Sequence, residues 1–319
     1  MQDRSLNKKY GFSSEKSKTF PLMVVVEITN VCNLECIHCP YSFISKDKNY
    51  RPRHMEMDIY RKITDEVSEH PGTIFRLLCD GEPLCHPNFI DILKYAKSKN
   101  ISPINFITNG LLLDSNMART ILDANVEVVE ISLDAINKDT YDNIRKGSSF
   151  DTVMKNVHEF IKLRDNMHSK TKIFVSIIQQ PESKNEYDSF VDYWTPKIDK
   201  VITRPLTSIG GLVNIPRQKI SSADHRWPCP LLWSRLFINV DGLAEFCVED
   251  WHNKTIIGNI NNANITDIWQ SKEYNDLREL HWSGKFGLIP YCSKCQDWEA
   301  RDWDYNYFHA LDEVLNKHS

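Results

Sequence analysis

Cys32, Cys36 and Cys39 lie in the segment VCNLECIHCPYS, spaced as Cys, three residues, Cys, two residues, Cys, directly after the apolar run 23–28. Cysteine thiolates hold the irons of iron–sulfur clusters, and a four-iron cluster needs four ligands. Three thiolates leave one iron with an open coordination position, and an open position is where chemistry takes place. A structural zinc site competes for the same residues, with His38 as the fourth ligand. Closed zinc sites usually draw on two separated pairs, not on one compact loop.

Four more cysteines follow near the other end. Cys229 is separated by twelve residues from Gly242, four residues precede Cys247, and Cys292 and Cys295 form a C-x-x-C pair. On spacing alone, four thiolates in two groups suit a fully ligated cluster or a zinc ribbon. Seven of the nine cysteines thus fall into two clusters. The N-terminal segment MQDRSLNKKYGFSSEKSK is polar and has no apolar core, so export is not expected. In a reducing cytoplasm these cysteines read as metal ligands and not as disulfides.

The rest of the composition bounds the partners. The 319-residue chain is 41% hydrophobic and 26% charged, with a net charge of −4. That suits a large domain plus a smaller module, and it gives no basic surface for nucleic acid. No apolar run is long enough to span a bilayer, so no membrane partner is expected.

The elements that must position these residues alternate. Strand-like runs at 23–28, 74–79, 103–107, 127–132, 172–178 and 200–203 are separated by helix-like stretches near 57–69, 88–99, 115–124, 151–167 and 185–196. Such alternation predicts parallel strands with crossover helices, as a partial α/β barrel or an open sheet, with ligands at the carboxyl ends of the strands. Polar segments fall at those ends: Cys32, Gly81-Glu82-Pro83, Thr108-Asn109-Gly110, Ser132 with Asp134, and Gln179-Gln180. Five of them on one sheet edge would converge on one cavity.

Together these motifs resemble the radical S-adenosylmethionine (SAM) enzymes. The resemblance implies a partial (β/α)6 barrel over 23–205, preceded by an extension at 1–22. It implies a first [4Fe–4S] cluster on Cys32, Cys36 and Cys39, with the methionine moiety of SAM on the open iron. Asp80-Gly81-Glu82-Pro83 is similar to the family's Gly-Gly-Glu-Pro motif at its last three positions. Glu82 would offer a carboxylate to SAM's amino group and Gly81 a close backbone approach, while Asp80 departs from the pattern. Ser132 and Asp134 resemble the strand-four residues that reach SAM, Asn109 would share that duty, and Arg145 resembles the arginine that pairs with SAM's carboxylate. A solvated helix-end arginine is the alternative there. His38 stands where the family has an aromatic residue over adenine.

Residues 206–298 resemble the SPASM domain, shortened to the twitch form, because no cysteines follow the C-x-x-C pair. The implied cofactor is one auxiliary [4Fe–4S] cluster on Cys229, Cys247, Cys292 and Cys295, a spacing similar to that of the twitch dehydrogenases of butirosin-type aminocyclitol biosynthesis. The resemblance implies SAM cleavage to a 5′-deoxyadenosyl radical, hydrogen abstraction from carbon, and oxidation of a carbinol with the auxiliary cluster as electron acceptor. The substrate would be a small molecule of the sugar or aminocyclitol type, and the electron donor a flavodoxin or ferredoxin.

Arg204, Glu249 and Asp250 are the substrate-side candidates. Epimerisation remains open, with Cys79 or Cys85 as hydrogen donor, and so does modification of a ribosomal peptide. Relatives acting on ribosomal peptides often carry a leader-binding domain, and only 22 residues precede the first strand here, so a small molecule is the expectation, with a peptide still open. A zinc-stabilised binding protein without catalysis is the reading from another class. The aromatic segment 298–308 within the tail 299–319 could be core, lid or interface.

Overall fold

A computed structural model describes residues 15–78, 80–215, 226–301, 303 and 306–315. Six parallel strands form where the sequence predicts them: β1 (Met23–Val26), β2 (Ile74–Leu77), β3 (Ile104–Thr108), β4 (Val128–Ser132), β5 (Lys172–Gln179) and β6 (Lys200–Pro205). The crossovers are α1 (Met57–Ser68), α2 (Phe89–Ser98), α3 (Ser115–Asp123), α4 (Lys138–Ile144) with α5 (Phe150–Asn166), and α6 (Tyr187–Trp194). Local chemistry fixes several starts. The Asp114 side chain accepts from the Asn116 and Met117 N–H groups at the head of α3, and Ser149 does the same for Thr152 at the head of α5.

The sheet continues past the barrel. β7 (Arg235–Ile238) lies parallel to β1 on its free side, and β8 (Leu243–Glu245) and β9 (Ile256–Asn259) follow antiparallel. The β7–β8 turn uses Gly242 at φ +77°, where a side chain would be strained. The complete order is β6-β5-β4-β3-β2-β1-β7-β8-β9. This is the α/β architecture expected from the alternation, a partial barrel with a smaller C-terminal domain. The return of the chain to β1 is not visible in that alternation.

Both faces of the strands are buried, which explains their nearly unbroken apolar sequences. Val24, Val26, Phe75, Leu77, Phe106, Val129 and Val175 pack outward among the helices. Met23, Val25, Ile74, Val128, Phe174, Ile202 and Phe237 face inward, against Phe308, Leu311 and Val314 of the last helix, α7 (Tyr307–Leu315). Helix α7 is therefore core: it plugs the barrel. Among the described residues no helix is long and apolar enough to cross a membrane.

Candidate active site

The loop after β1 is pinned before it reaches the cysteines. Thr29 shares a 2.8 Å hydrogen bond with His54, and the Asn30 side chain accepts from the Arg53 N–H and donates to the Arg51 carbonyl. The loop after β2 runs against it. A Cβ on Gly81 would lie 2.4 Å from the Thr29 carbonyl oxygen and 2.7 Å from that of Val31. The close approach expected of Gly81 is thus to the cysteine loop itself.

Glu82 differs from its expectation in detail. Its carboxylate accepts from the Thr108 hydroxyl (2.7 Å) and from the Asn109 (2.7 Å) and Leu84 (3.1 Å) N–H groups. It therefore ties the ends of β2 and β3 together. Asn109 donates to the Asn33 side-chain oxygen at 2.7 Å, next to Cys32.

Arg145 is buried at the end of α4, and not solvated. It pairs with Asp134, and its guanidinium lies 3.7 Å from the Cys36 sulfur. Burial opposes its charge, yet Asp134 and Cys36 hold the guanidinium firmly protonated. Asp134 is itself in the left-handed region, at φ +65°, a strained position for a residue with a side chain. Its other oxygen accepts from the Ile178 N–H at 2.8 Å. His38 approaches Asp134 at 3.7 Å, and Ser132 meets Ser176 at 3.3 Å. The structure therefore brings the cysteine loop, Glu82, Asn109, Asp134 and Arg145 to one edge, the carboxyl ends of β1 to β5.

Burial pushes the Cys32 and Cys39 thiols up to about 12, and the neighbouring sulfurs add to it. Cys36 is also raised by burial, against the pull of Arg145. Bound iron reverses this, because a metal deprotonates its thiol ligands outright. The surroundings suit a ligand rich in acceptors: the side-chain nitrogens Asn33 Nδ2, Arg145 Nε and Gln180 Nε2 are buried without partners. SAM offers a carboxylate, a ribose and an adenine to such donors. Residues and group fit.

The second set converges too. Cys229, Cys247, Cys292 and Cys295 line one small cavity together with Arg226, His281, Tyr291 and Arg301. Burial raises Cys247 well above its ordinary value, and the other three sulfurs raise it further. Tyr291 donates to the Glu249 carbonyl at 2.6 Å, and Asp297 accepts from Ser208 and Gly210, fastening the C-x-x-C segment to the loop after β6. Four thiolates lining one cavity are the donor set that a fully ligated cluster takes.

The substrate-side candidates separate. Arg204 points into the barrel and pairs with Glu130 at 2.6 Å; Glu130 also meets Arg76 at 3.4 Å. Arg76 donates to Asn105 at 3.1 Å and lies 3.8 Å over the Tyr307 ring. Glu249 is buried and paired with Arg301 through one oxygen, while Oε2 has no partner. Asp250 accepts from the His252 and Thr255 N–H groups and so caps its own turn, a structural duty in place of a free one. Cys85 is partly buried, its thiol pushed to about 11 by burial and Glu82, whereas Cys79 lies outside the described residues.

A cavity of about 570 Å³ opens where the barrel meets the β7–β8 hairpin, lined among others by Glu27, Tyr50, Asp80, Asn239, Glu245 and Asp250. Burial and the neighbouring carboxylates Glu27, Glu245 and Asp250 push the Asp80 carboxyl well above its usual range.

Glu27, Arg76, Asn105, Glu130 and His281 escaped the sequence reading. For Arg76 and Glu130 a signal existed, a single charge inside the apolar strands IFRL and VVEIS.

Residues 26–184 match the model of the Radical SAM superfamily, and residues 229–296 match the SPASM iron-sulfur cluster-binding domain. Among solved structures, BtrN in complex with AdoMet and 2-DOIA superposes with a TM-score of 0.59 at 19% identity, covering 89% of this chain and 97% of that one. SuiB of Streptococcus suis bound to S-adenosylmethionine gives a TM-score of 0.69 at 14% identity, covering 90% and 76%. The mycofactocin maturase MftC of Mycolicibacterium smegmatis is 28% identical over 141 residues, 44% of this chain and 34% of that protein. The chain thus spans about a third of the length of that maturase.

Proposed function

The chain belongs to the radical SAM superfamily and carries a C-terminal SPASM domain, and on that premise we propose that it oxidises a carbinol of a sugar- or aminocyclitol-type small molecule to a ketone. When bound, SAM with the first [4Fe–4S] cluster supplies a hydrogen-abstracting 5′-deoxyadenosyl radical, and the auxiliary cluster supplies a one-electron acceptor. The observation that supports this reading is the four-cysteine second donor set. Four cysteines line one cavity, so no iron there is left for substrate, and electron acceptance is the role that remains.

In this reading Cys32, Cys36 and Cys39 hold the first cluster, and Asn33, Arg145 and Gln180 donate to SAM. Glu82 and Gly81 fix the loop between them, and Asp134 holds the Arg145 side chain in place. The acidic cavity suits hydroxyl and ammonium groups, which donate hydrogen bonds to carboxylates. Of the substrate-side candidates, Glu249 keeps an oxygen without a partner and is the residue to which we assign the carbinol proton. Arg204 orients polar groups in the barrel. The electron donor class we expect is a flavodoxin or ferredoxin.

Peptide modification is the second reading, favoured by the likeness to MftC, a maturase by its name, and by SuiB, a similar fold also solved bound to a precursor peptide. Anaerobic reduction with SAM and panels of sugars, aminocyclitols and peptides in deuterated water separates the outcomes. A new carbonyl on a small molecule supports the proposal. Solvent deuterium at carbon with no change in oxidation level indicates epimerisation, and a mass change confined to peptides overturns the small-molecule assignment.

A further inference from the structure

His281 lies in the last turn of the helix Lys272–Trp282 and is fully buried at 0% exposure. Its Nδ1 accepts the backbone N–H of Cys229 at 3.3 Å, and its Nε2 lies 3.4 Å from Sγ of Cys292. The first contact decides the second. A backbone N–H can only donate, so Nδ1 presents its lone pair and the proton of the neutral ring sits on Nε2. Nε2–H therefore faces the sulfur. The ring is held edge-on to Phe286, with centroids 5.1 Å apart, and Arg226 covers the same phenyl at 4.4 Å while donating to the Cys292 carbonyl at 2.7 Å. One imidazole thus touches two of the four auxiliary cysteines.

We infer that His281 is a positioning residue that tunes the auxiliary cluster, donating a hydrogen bond to the Cys292 sulfur and so favouring the reduced state. The physical reason is charge. Adding an electron increases the negative charge on the sulfurs, and a donor aimed at one of them stabilises that state more than the oxidised one. The inference rests on the proposed role of this cluster as electron acceptor, which a donor of this kind improves.

The test uses protein reconstituted anaerobically with Cys32, Cys36 and Cys39 replaced by Ala, so that the auxiliary cluster alone is observed, without SAM or substrate. Iron content is measured first. If the parent holds no iron, the auxiliary-cluster reading and this inference both fall. With iron retained, an EPR-monitored redox titration of H281L is expected to show the cluster harder to reduce. The expected size is about tenfold in the ratio of reduced to oxidised cluster at fixed potential, which is 59 mV for one electron. H281Q, which retains a side-chain N–H donor, is expected to restore most of it. Equal midpoints for the parent and H281L at equal iron content overturn the inference while leaving the acceptor role standing. Should H281L not load, the parent labelled with ¹⁵N-histidine decides. Coupling of one ¹⁵N and one exchangeable deuteron to the reduced cluster supports the bond, and absence of both overturns it.

Discussion

Replacing Glu130 by Gln tests the polar centre of the barrel. Glu130 is fully buried, and its carboxylate meets Arg204 at 2.6 Å and Arg76 at 3.4 Å. Burial alone would raise its carboxyl, but the two guanidinium groups outweigh burial and hold it below the ordinary range. E130Q keeps the size and removes the charge, leaving the buried Arg76 and the one-third-exposed Arg204 facing a neutral amide. Breaking a buried pair by removing one partner costs about 3–5 kcal/mol, and because water reaches Arg204 the loss here is expected near the lower end of that range. Denaturant unfolding of the apo-protein at pH 7 reads it.

The sign of the pH dependence follows. A folded-state pKa below the unfolded one gives stability that is complete above the unfolded carboxylate range, near pH ~4.3, and lost as pH falls through the folded value. The gap between wild type and E130Q should therefore narrow in acid. Adding R204M to E130Q removes one stranded cation and should recover part of the loss. A gap under about 1 kcal/mol at pH 7, where breaking a buried pair should cost several times that, or one that persists unchanged in acid, would refute the claim that charge pairing holds this centre together.

G81A drives a Cβ to 2.4 Å from the Thr29 carbonyl; it is expected to displace the cysteine loop and lower iron incorporation at the first site, measured against the auxiliary iron. C229A with C247A should lose about half of the roughly eight irons that two four-iron clusters hold. It should retain SAM cleavage but fail to form carbonyl product, which chromatography of 5′-deoxyadenosine and ketone resolves. D80N removes a carboxyl facing the 570 Å³ cavity, one whose ionisation burial and its acidic neighbours oppose and an entering ammonium group would favour. It should raise KM several-fold for amine-bearing substrates and leave neutral polyols nearly unchanged; an equal effect on both would count against ammonium recognition there.

Much of this was legible in the sequence because it is periodic or local. β-branched runs such as MVVV and VVEIS declare strands buried on both faces, and the cysteine spacings declare ligands before any fold is known. What stayed hidden depends on contacts between distant segments. Arg145 resembles a SAM-binding arginine in sequence, with a solvated helix-end arginine as the alternative, and only the fold turns it towards Asp134 and Cys36. His281 gives no local sign, since its two partners are 52 and 11 residues away. The segment ending the chain has the apolar spacing of a buried helix, but sequence alone does not say that it fills the barrel.

The joint between the two domains ties the loop beside the first cysteine set to the C-terminal hairpin. β7 runs parallel to β1, with Val26 opposite Ile238, so both strands deliver their following loops to one edge. Glu27, the next residue after β1, then reaches both loops. One carboxylate oxygen accepts from the Asp80 N–H at 3.3 Å and the other from the Val240 N–H at 2.9 Å. A single buried side chain thus fastens the loop beside the first cysteine set to the hairpin that leads to Cys247. Two hydrogen bonds to a carboxylate are directional as well as attractive, so they fix the spacing of the two loops and not merely their proximity. The electron transfer from substrate to auxiliary cluster that we propose would depend on that spacing, to which the register of one strand pair and one glutamate contribute.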